Sequence, residues 1–325
     1  TNDSIEGMQE VKSDESLGRH GGDLQGIINK FDYLADLGVT AVWLNPEIEN
    51  DQPHESYHGY AATDFYKIDR RFGTNDLYKK MVEKAHEKDI KVIKDIVHNH
   101  IGDQHWWMKD LPTETWIHQF DTFTKTTYRA PTLFDPYASD YDKMRMSDGW
   151  FDTHMPDLNQ QDEHLATYLI QNNIWWIEFA GLDGFRVDTY AYPDKDFTSK
   201  WCKAILDEYP NFKIFGETWV HGVVTQAFFT DENGMNSGHD TNLPGVTDFQ
   251  LYYAINDALN NPQGWTDGAA RIYYTLAKDI AYKYPSNNVT FLDNHDLARL
   301  ATVMGNNPTK VKSALSFLLT TRGTP

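Results

Sequence analysis

Cysteine is almost absent from the 325-residue chain: Cys202 stands alone. No intrachain disulfide can form, a thiolate metal cluster is excluded, and the side chain is expected to be a small buried hydrophobe. Long apolar runs are lacking too. None approaches about 18 residues, so no segment reads as a bilayer-spanning helix. Positive charge is scarce, with 29 Lys+Arg against 48 Asp+Glu and a formal net charge of −19. Such a surface repels phosphate backbones and anionic lipid, which argues against nucleic-acid and membrane-surface partners. No GxGxxG or GxxxxGK[ST] turn follows a strand-like segment, so a nucleotide-binding fold has no local support. Thr1 to Arg19 is polar without an apolar signal core, and compartment cannot be read from it.

Aromatic side chains are what the chain has in quantity: 14% of residues, with 10 Trp and 18 Tyr. Flat rings stack on sugars and bases as well as filling cores, and at this charge sugar is the better of the two ligands. Hydrophobic residues at 40% and charged residues at 24% make an ordinary globular composition. At roughly 100–200 residues per domain the length suggests two domains, or one α/β barrel of about 250 residues.

Helical stripes and short apolar runs alternate. Leu24, Ile27, Ile28, Phe31, Leu34 and Ala35 share a helix face, Gly38 stops it, and the run Val39–Leu44 follows. Leu77, Met81 and Ala85 precede the run Ile90–Val97; Ile170, Ile174 and Ile177 precede Gly184–Val187. Phe197, Trp201 and Ile205 lead into Phe212–Phe215, a strand-like segment lies near Val246–Leu251, and Ile272, Leu276 and Ile280 precede Asn288–Leu292. This order predicts a parallel α/β fold. Residues 103–164, rich in Trp, Tyr, Asp, Pro and Thr with weak periodicity, read as an irregular subdomain inserted after the second visible strand. Polar residues gather where strands end: Asp95, Asn99 and His100, then Arg186 and Asp188, Glu217, and His295 and Asp296. Eightfold barrels build active sites at that end, but only six strands are visible.

Three carboxylates end three strands: Asp188 in GFRVD, Glu217 in FGETW and Asp296 in FLDNHD. Gathered in a semi-dry site they cannot all ionise normally, and glycoside hydrolysis needs that division, one acid and one anion. Arg186 shares a strand face with Asp188 at i and i+2 and favours its ionised form, whereas the apolar strand before Glu217 raises the pKa of that acid. Taken singly, each reads more readily as a rim salt bridge; three at successive strand ends favour function. His98, His100 and His105 with Asp95 raise a zinc reading, yet their spacing fits no compact zinc motif and His98 can be a packed core residue. The loop His54, Tyr57, His58, Gly59, Tyr60 suits either sugar stacking or loop packing.

Together these segments resemble the α-amylase family of retaining glycoside hydrolases. DIVHNH (Asp95–His100), GFRVD (Gly184–Asp188), GETW (Gly216–Trp219) and FLDNHD (Phe291–Asp296) are similar to its four signature regions, in order; YHGY (Tyr57–Tyr60) and MPDLN (Met155–Asn159) are similar to two further markers. The resemblance implies a TIM-type (β/α)8 barrel with an inserted domain B: residues 1–102 as the first part of the barrel, 103–164 as domain B between the third strand and third helix, and 165–325 as the second part. It implies that the first and eighth strands are missing and that the chain is a fragment of a longer protein, with two open sheet edges. It implies Asp188 as nucleophile, Glu217 as general acid/base and Asp296 as transition-state stabiliser, with Tyr60, His100, Arg186 and His295 binding the sugar at the cleaved bond. MPDLN and the segment before it are most similar to neopullulanases and cyclomaltodextrinases, which cut α-1,4 bonds in pullulan, starch fragments or cyclodextrins. A glucan transferase on the same site and a catalytically silent sugar-binding member are the alternatives; the three carboxylates disfavour the silent one.

Many members carry Lys-His three and four residues after the nucleophile, the Lys serving the leaving-group side; here Ala191 and Tyr192 stand there. The His supplies a backbone ligand to a calcium between domain B and the barrel, and Asn99 and Asp157 match other ligands of that site. A structural calcium is thus an expectation left open, and no cofactor is required for the chemistry. The implied partner is an α-glucan oligo- or polysaccharide, without nucleic acid or membrane insertion, and a homo-oligomer is compatible with the family. The resemblance favours a periplasmic or extracellular location over a cytoplasmic one.

Overall fold

Alternating stripes and apolar runs fold as helices around a parallel sheet in the computed structural model, which describes residues 12–325 apart from 13, 16, 54, 55, 234, 236 and 237. The stripe Leu24–Ala35 divides into α1 (Leu24–Ile28) and α2 (Phe31–Asp36). Strand β1 (Ala41–Trp43) follows, then an antiparallel pair, β2 (Ile48–Glu49) and β3 (Asp64–Ile68), that sequence pattern does not signal because it is short and irregular in register. Helix α3 (Asn75–His86), capped by Thr74, buries Tyr78, Met81, Val82 and Ala85 and leads into β4 (Lys91–Val97).

Helices α4 (Asp140–Ser147) and α5 (Glu163–Ala180) precede β5 (Gly184–Asp188); α6 (Lys195–Glu208) precedes β6 (Lys213–Gly216). After α7 (Val223–Phe228) comes β7 (Gly245–Val246), only two residues long. The expected strand Val246–Leu251 ends there because the Asp248 carboxylate accepts the Leu251 N–H and starts α8 (Phe249–Asn260). Helices α9 (Ala270–Leu276), α10 (Leu300–Val303) and α11 (Pro308–Leu318) complete the chain.

The five-stranded sheet runs β1-β4-β5-β6-β7, every pair parallel. Pairing continues as single parallel bridges, Thr247 to Val289 and Val289 to Thr324. The expected strand Asn288–Leu292 thus shrinks to one paired residue, and the Asn288 side chain accepts the Val246 N–H where a backbone carbonyl would serve in a regular ladder. The sheet is strongly curved. β1 and β6 are three strand spacings apart, about 14 Å in a flat sheet, yet the rings of Trp43 and Phe215 meet at 5.8 Å. Only a concave face brings those side chains together.

Residues 103–164 hold short turns, α4 and isolated bridges, with no named strand among the described residues. Trp107 and Trp116 of this segment are buried against Tyr168 on α5, so part of the tryptophan content is core. Cys202 is buried on α6 beside the Tyr190 hydroxyl, and burial pushes its thiol up to about 12. Among the described residues no helix is long and apolar enough to cross a membrane.

On the helix-facing side of β4 sits a buried ion pair. Lys94 Nζ lies 2.9 Å from Glu47 Oε2 and 4.5 and 4.4 Å from the ring centroids of Tyr78 and Trp176. Burial raises the Glu47 carboxyl even against the pull of Lys94. Removing one partner strands the other charge, whereas removing both leaves an apolar site. Lys94→Met is therefore expected to lower stability by about 3–5 kcal/mol in urea unfolding, and Lys94→Met with Glu47→Leu to recover most of that loss. Equal losses in the two variants would contradict the pairing.

Candidate active site

Register places the core of the site. Asp95 pairs with Arg186 and Arg186 with Phe215, so the three side chains lie level on the concave face of β4, β5 and β6. Asp188 is two residues further along β5, and Glu217 follows the last residue of β6. Arg186 is fully buried. Its Nη1 donates to Asp95 Oδ1 at 3.0 Å and to Asp188 Oδ1 at 2.7 Å, and its Nη2 lies 2.9 Å from Glu217 Oε1. The guanidinium is also 5.1 Å from the Trp43 ring centroid and 5.5 Å from that of Tyr60. Glu217 is held from its other oxygen by the Thr189 N–H at 2.9 Å, and Thr189 adopts a left-handed φ of 45° to aim it.

One cation faces three buried carboxyls, so the acids cannot all ionise near their ordinary values. Burial pushes Glu217 up to about 7; Arg186 pulls it down and the Asp188 charge adds to the rise. Asp188 also rises, to about 6, through burial first and then the charges of Asp95 and Asp296. The adjacent Arg186 does not keep it low, as i, i+2 spacing alone leads one to expect, because the same guanidinium is shared with Asp95 and Glu217. Arg186 itself is raised: burial works against its charge, and the carboxylates around it win.

Asp296 reaches the same mouth but not the guanidinium. Its side chain is 40% exposed and contacts His295 Nε2 at 3.2 Å. Burial works to raise its pKa, and the His295 hydrogen bond and charge overcome this and lower it. His295 in turn stacks on Tyr60 at 5.5 Å, and its Nε2 lies 2.9 Å from the Tyr60 hydroxyl, which donates to Asp95 at 3.0 Å. His100 is buried, donates from Nε2 to the Tyr60 carbonyl at 3.1 Å and stacks on Phe151 at 5.1 Å. Thus Tyr60, His100, Arg186 and His295 converge with Asp188, Glu217 and Asp296 on one face. His58 packs on Tyr60 at 5.9 Å, and His54 lies outside the described residues.

The zinc grouping is not assembled. His98 is packed between Phe197 and Trp201 with Nε2 on Asn173 Oδ1 at 2.7 Å, and His105 packs tilted against Trp107 at 4.4 Å. Among the described residues no three His, Cys, Asp or Glu are arranged to hold a metal ion.

The sequence matches the family described as alpha amylase, catalytic domain, over residues 10–325. The chain belongs to the α-amylase family. It is 32% identical to a cyclomaltodextrin glucanotransferase of Geobacillus stearothermophilus over 94% of its own length and 43% of that protein. It is 30% identical to a cyclomaltodextrinase of Geobacillus thermopakistaniensis, covering 94% of this chain and 48% of the relative. Among solved structures an Anoxybacillus α-amylase superposes with a TM-score of 0.83 at 31% identity, over 100% of this chain and 66% of the other. The chain thus spans less than half the length of these two curated relatives.

This α-amylase-family site includes residues that motif reading left without a role. Trp43 donates its indole N–H to Asp95 at 2.9 Å, and Thr189 positions Glu217. Trp43 is the last residue of β1, within the first apolar run, and Thr189 follows GFRVD, but neither has a sequence signal beyond that position. For a calcium, the fit is partial. Asn99 Oδ1 and Asp157 Oδ1 are buried without a hydrogen-bond partner, and hard oxygens of that kind suit the ion. The other Asp157 oxygen is occupied by His118 Nδ1 at 2.8 Å.

The raised Glu217 has a thermodynamic consequence. Between its ordinary value of 4.5 and about 7 the folded protein binds more protons than the unfolded chain, so this group's stabilising contribution is lost as pH rises through that window. Glu217→Gln removes the titration. In thermal melts the variant is expected to gain on wild type steadily from about pH 4.5 to 7 and to hold its lead above; a gap independent of pH would refute it.

Proposed function

We propose that the protein is a retaining α-glucan hydrolase of neopullulanase or cyclomaltodextrinase type, cleaving α-1,4 bonds by double displacement. The observation that carries this reading is the single buried guanidinium of Arg186, which holds Asp188 and Glu217 on its two ends. Carboxyls so tied lie close together, and retention asks for about 5–5.5 Å between nucleophile and acid/base. In the first step Glu217, protonated near neutrality, gives its proton to the leaving glycosidic oxygen while Asp188 Oδ attacks the anomeric carbon. The C1–O bond to the leaving sugar breaks and an ester to Asp188 forms. In the second step Glu217 takes a proton from water, the hydroxide adds to C1, and Asp188 leaves as carboxylate.

Asp296, kept anionic by His295, is proposed to stabilise the positive charge that develops on the sugar ring. Tyr60 is proposed to stack on that ring, with His100, Arg186 and His295 fixing its hydroxyls. Residues 103–164 are taken as domain B of a (β/α)8 barrel whose other parts are 1–102 and 165–325, a reading that the sheet curvature supports. A glucan transferase is the second reading, favoured by the glucanotransferase relative, since a sugar hydroxyl can replace water in the second step. A structural calcium held by Asn99 and Asp157 is part of the proposal, without a role in either step, as is a periplasmic or extracellular location.

The full chain with pullulan should give panose as its main product by chromatography, and Asp188→Asn should lower kcat by about 10⁴-fold or more. Cleavage of starch or cyclodextrin with pullulan left intact keeps the mechanism and sinks the neopullulanase assignment. Inertness towards all three sinks the hydrolase. Chelation should lower the melting temperature while the folded protein keeps its kcat; loss of kcat without unfolding would assign the metal a part in the chemistry.

A further inference from the structure

Little regular structure holds the residues that carry Asp296. Val289 pairs by single bridges with Thr247 and Thr324, and the chain then leaves the sheet. Helix α10 follows at Leu300 and is four residues long, too short to be stable by its own hydrogen bonds. Between them residues 293–299 form a loop whose two ends are anchored in one apolar cluster. Leu292 and Leu300 are buried there with Leu251, Ile255 and Met304, apart from the core cluster that includes Phe185 and Val187 of β5. The packing beneath Asp296 is therefore separate from the packing beneath Arg186.

Asp293 closes this loop. Its Oδ2 accepts the Leu300 N–H at 2.6 Å, and its Oδ1 accepts from Arg299 Nη1 at 2.7 Å. Leu300 is the first residue of α10, and an amide at that place has no partner within its own helix. The carboxylate that satisfies it stands at the start of the loop, so one side chain ties residue 293 to residue 300. Inside the loop, Asn294 Oδ1 accepts the Asp296 N–H at 2.9 Å, and the Leu297 N–H reaches the Asn294 carbonyl at 3.3 Å. Towards the sheet, His295 stacks on Tyr60 and meets the Trp43 ring edge-on at 5.9 Å.

We propose that Asp293 is a positioning residue for bond cleavage: by clasping Leu300 and Arg299 it fixes His295 and Asp296 opposite the carboxyls held by Arg186. This rests on the roles given above to Asp188, Glu217 and Asp296. Around Asp296 stand His295, Arg186 and His58, and its charge adds to the burial that raises Asp188 and Glu217. With the clasp open, Asp296 spends time away from those two acids. Both then ionise at lower pH, and the developing positive charge on the sugar ring loses its fixed anion.

The test uses the full chain on whichever of pullulan, starch and cyclodextrin wild type cleaves, and measures kcat and the pH profile of kcat/KM. Asp293→Ala should lower kcat by about 100-fold, the scale of a group misplaced by about 1 Å, and move both limbs of the profile to lower pH. Asp293→Asn keeps an oxygen for the Leu300 N–H and should stay within about threefold of wild type. Leu300→Pro removes the same hydrogen bond from its other end and serves if Asp293→Ala fails to fold. Proline suits the first position of α10, and Arg299 before it already has an extended ψ of 139°; its limbs should move the same way. Lys94→Met, which loses stability away from the loop, should leave both limbs in place. Limbs that stay put in Asp293→Ala and Leu300→Pro, or that move as far in Lys94→Met, overturn the proposal and leave the hydrolase standing. An asparagine variant as slow as alanine overturns it too. A wild type inert on all three glucans overturns both.

Discussion

One buried positive charge, the guanidinium of Arg186, organises the mouth of the sheet. It bonds Asp95 from β4, Asp188 from its own strand and Glu217 beyond β6, so three neighbouring strands are cross-linked by charge where their backbone pairing ends. A buried arginine with a single carboxylate would serve as a structural pair. With three, negative charge exceeds positive, and at least one acid retains its proton near neutrality. The same contacts therefore hold the architecture and set the protonation states of the acids at the mouth of the sheet.

Curvature is the second feature of the site, because it brings Trp43 of β1 and Phe215 of β6 together, with the Trp43 ring against Arg186. At the end of β6, Gly216 lets the Tyr190 ring pack under the strand: a Cβ there would lie 2.5 Å from that ring. The Tyr190 N–H donates to the Glu217 carbonyl at 3.0 Å, so the glycine and the tyrosine together fix where the Glu217 backbone turns off the sheet. On the opposite side of β4, Lys94 and Glu47 are neutralised by each other and by two aromatic faces. Charges thus alternate across this strand, Lys94 towards the helices and Asp95 towards the mouth, and each is satisfied by a different layer.

The aromatic residues divide between two jobs that composition cannot separate. Trp107, Trp116, Trp176 and Trp201 are buried core, whereas Trp43 and Tyr60 donate to the Asp95 carboxylate and border Arg186. Histidines divide in the same way. His98, His100 and His105 are buried, with pKa values lowered by burial to about 4, about 3 and about 3, while the partly exposed His295 is raised by its Asp296 partner against the effect of burial.

Sequence alone determined the order of most helices and strands, the parallel pairing and the set of carboxylates, because hydrophobic period and strand-end polarity are local properties. It overran at Val246–Leu251 and Asn288–Leu292, where Asp248 and the Asn288 side chain replace ladder hydrogen bonds, and it passed over the β2–β3 pair. It also set Asp188, two residues from Arg186, apart as the anion and Glu217, after an apolar strand, as the raised acid. Only the tertiary structure decided that Asp188 and Glu217 share one guanidinium while Asp296 stands half-exposed beside His295, and that Asp188 rises to about 6 in spite of its neighbouring arginine. Those outcomes depend on burial and on how many charges surround one cation, quantities set by residues far apart in the chain and brought within hydrogen-bonding distance only by the curved sheet.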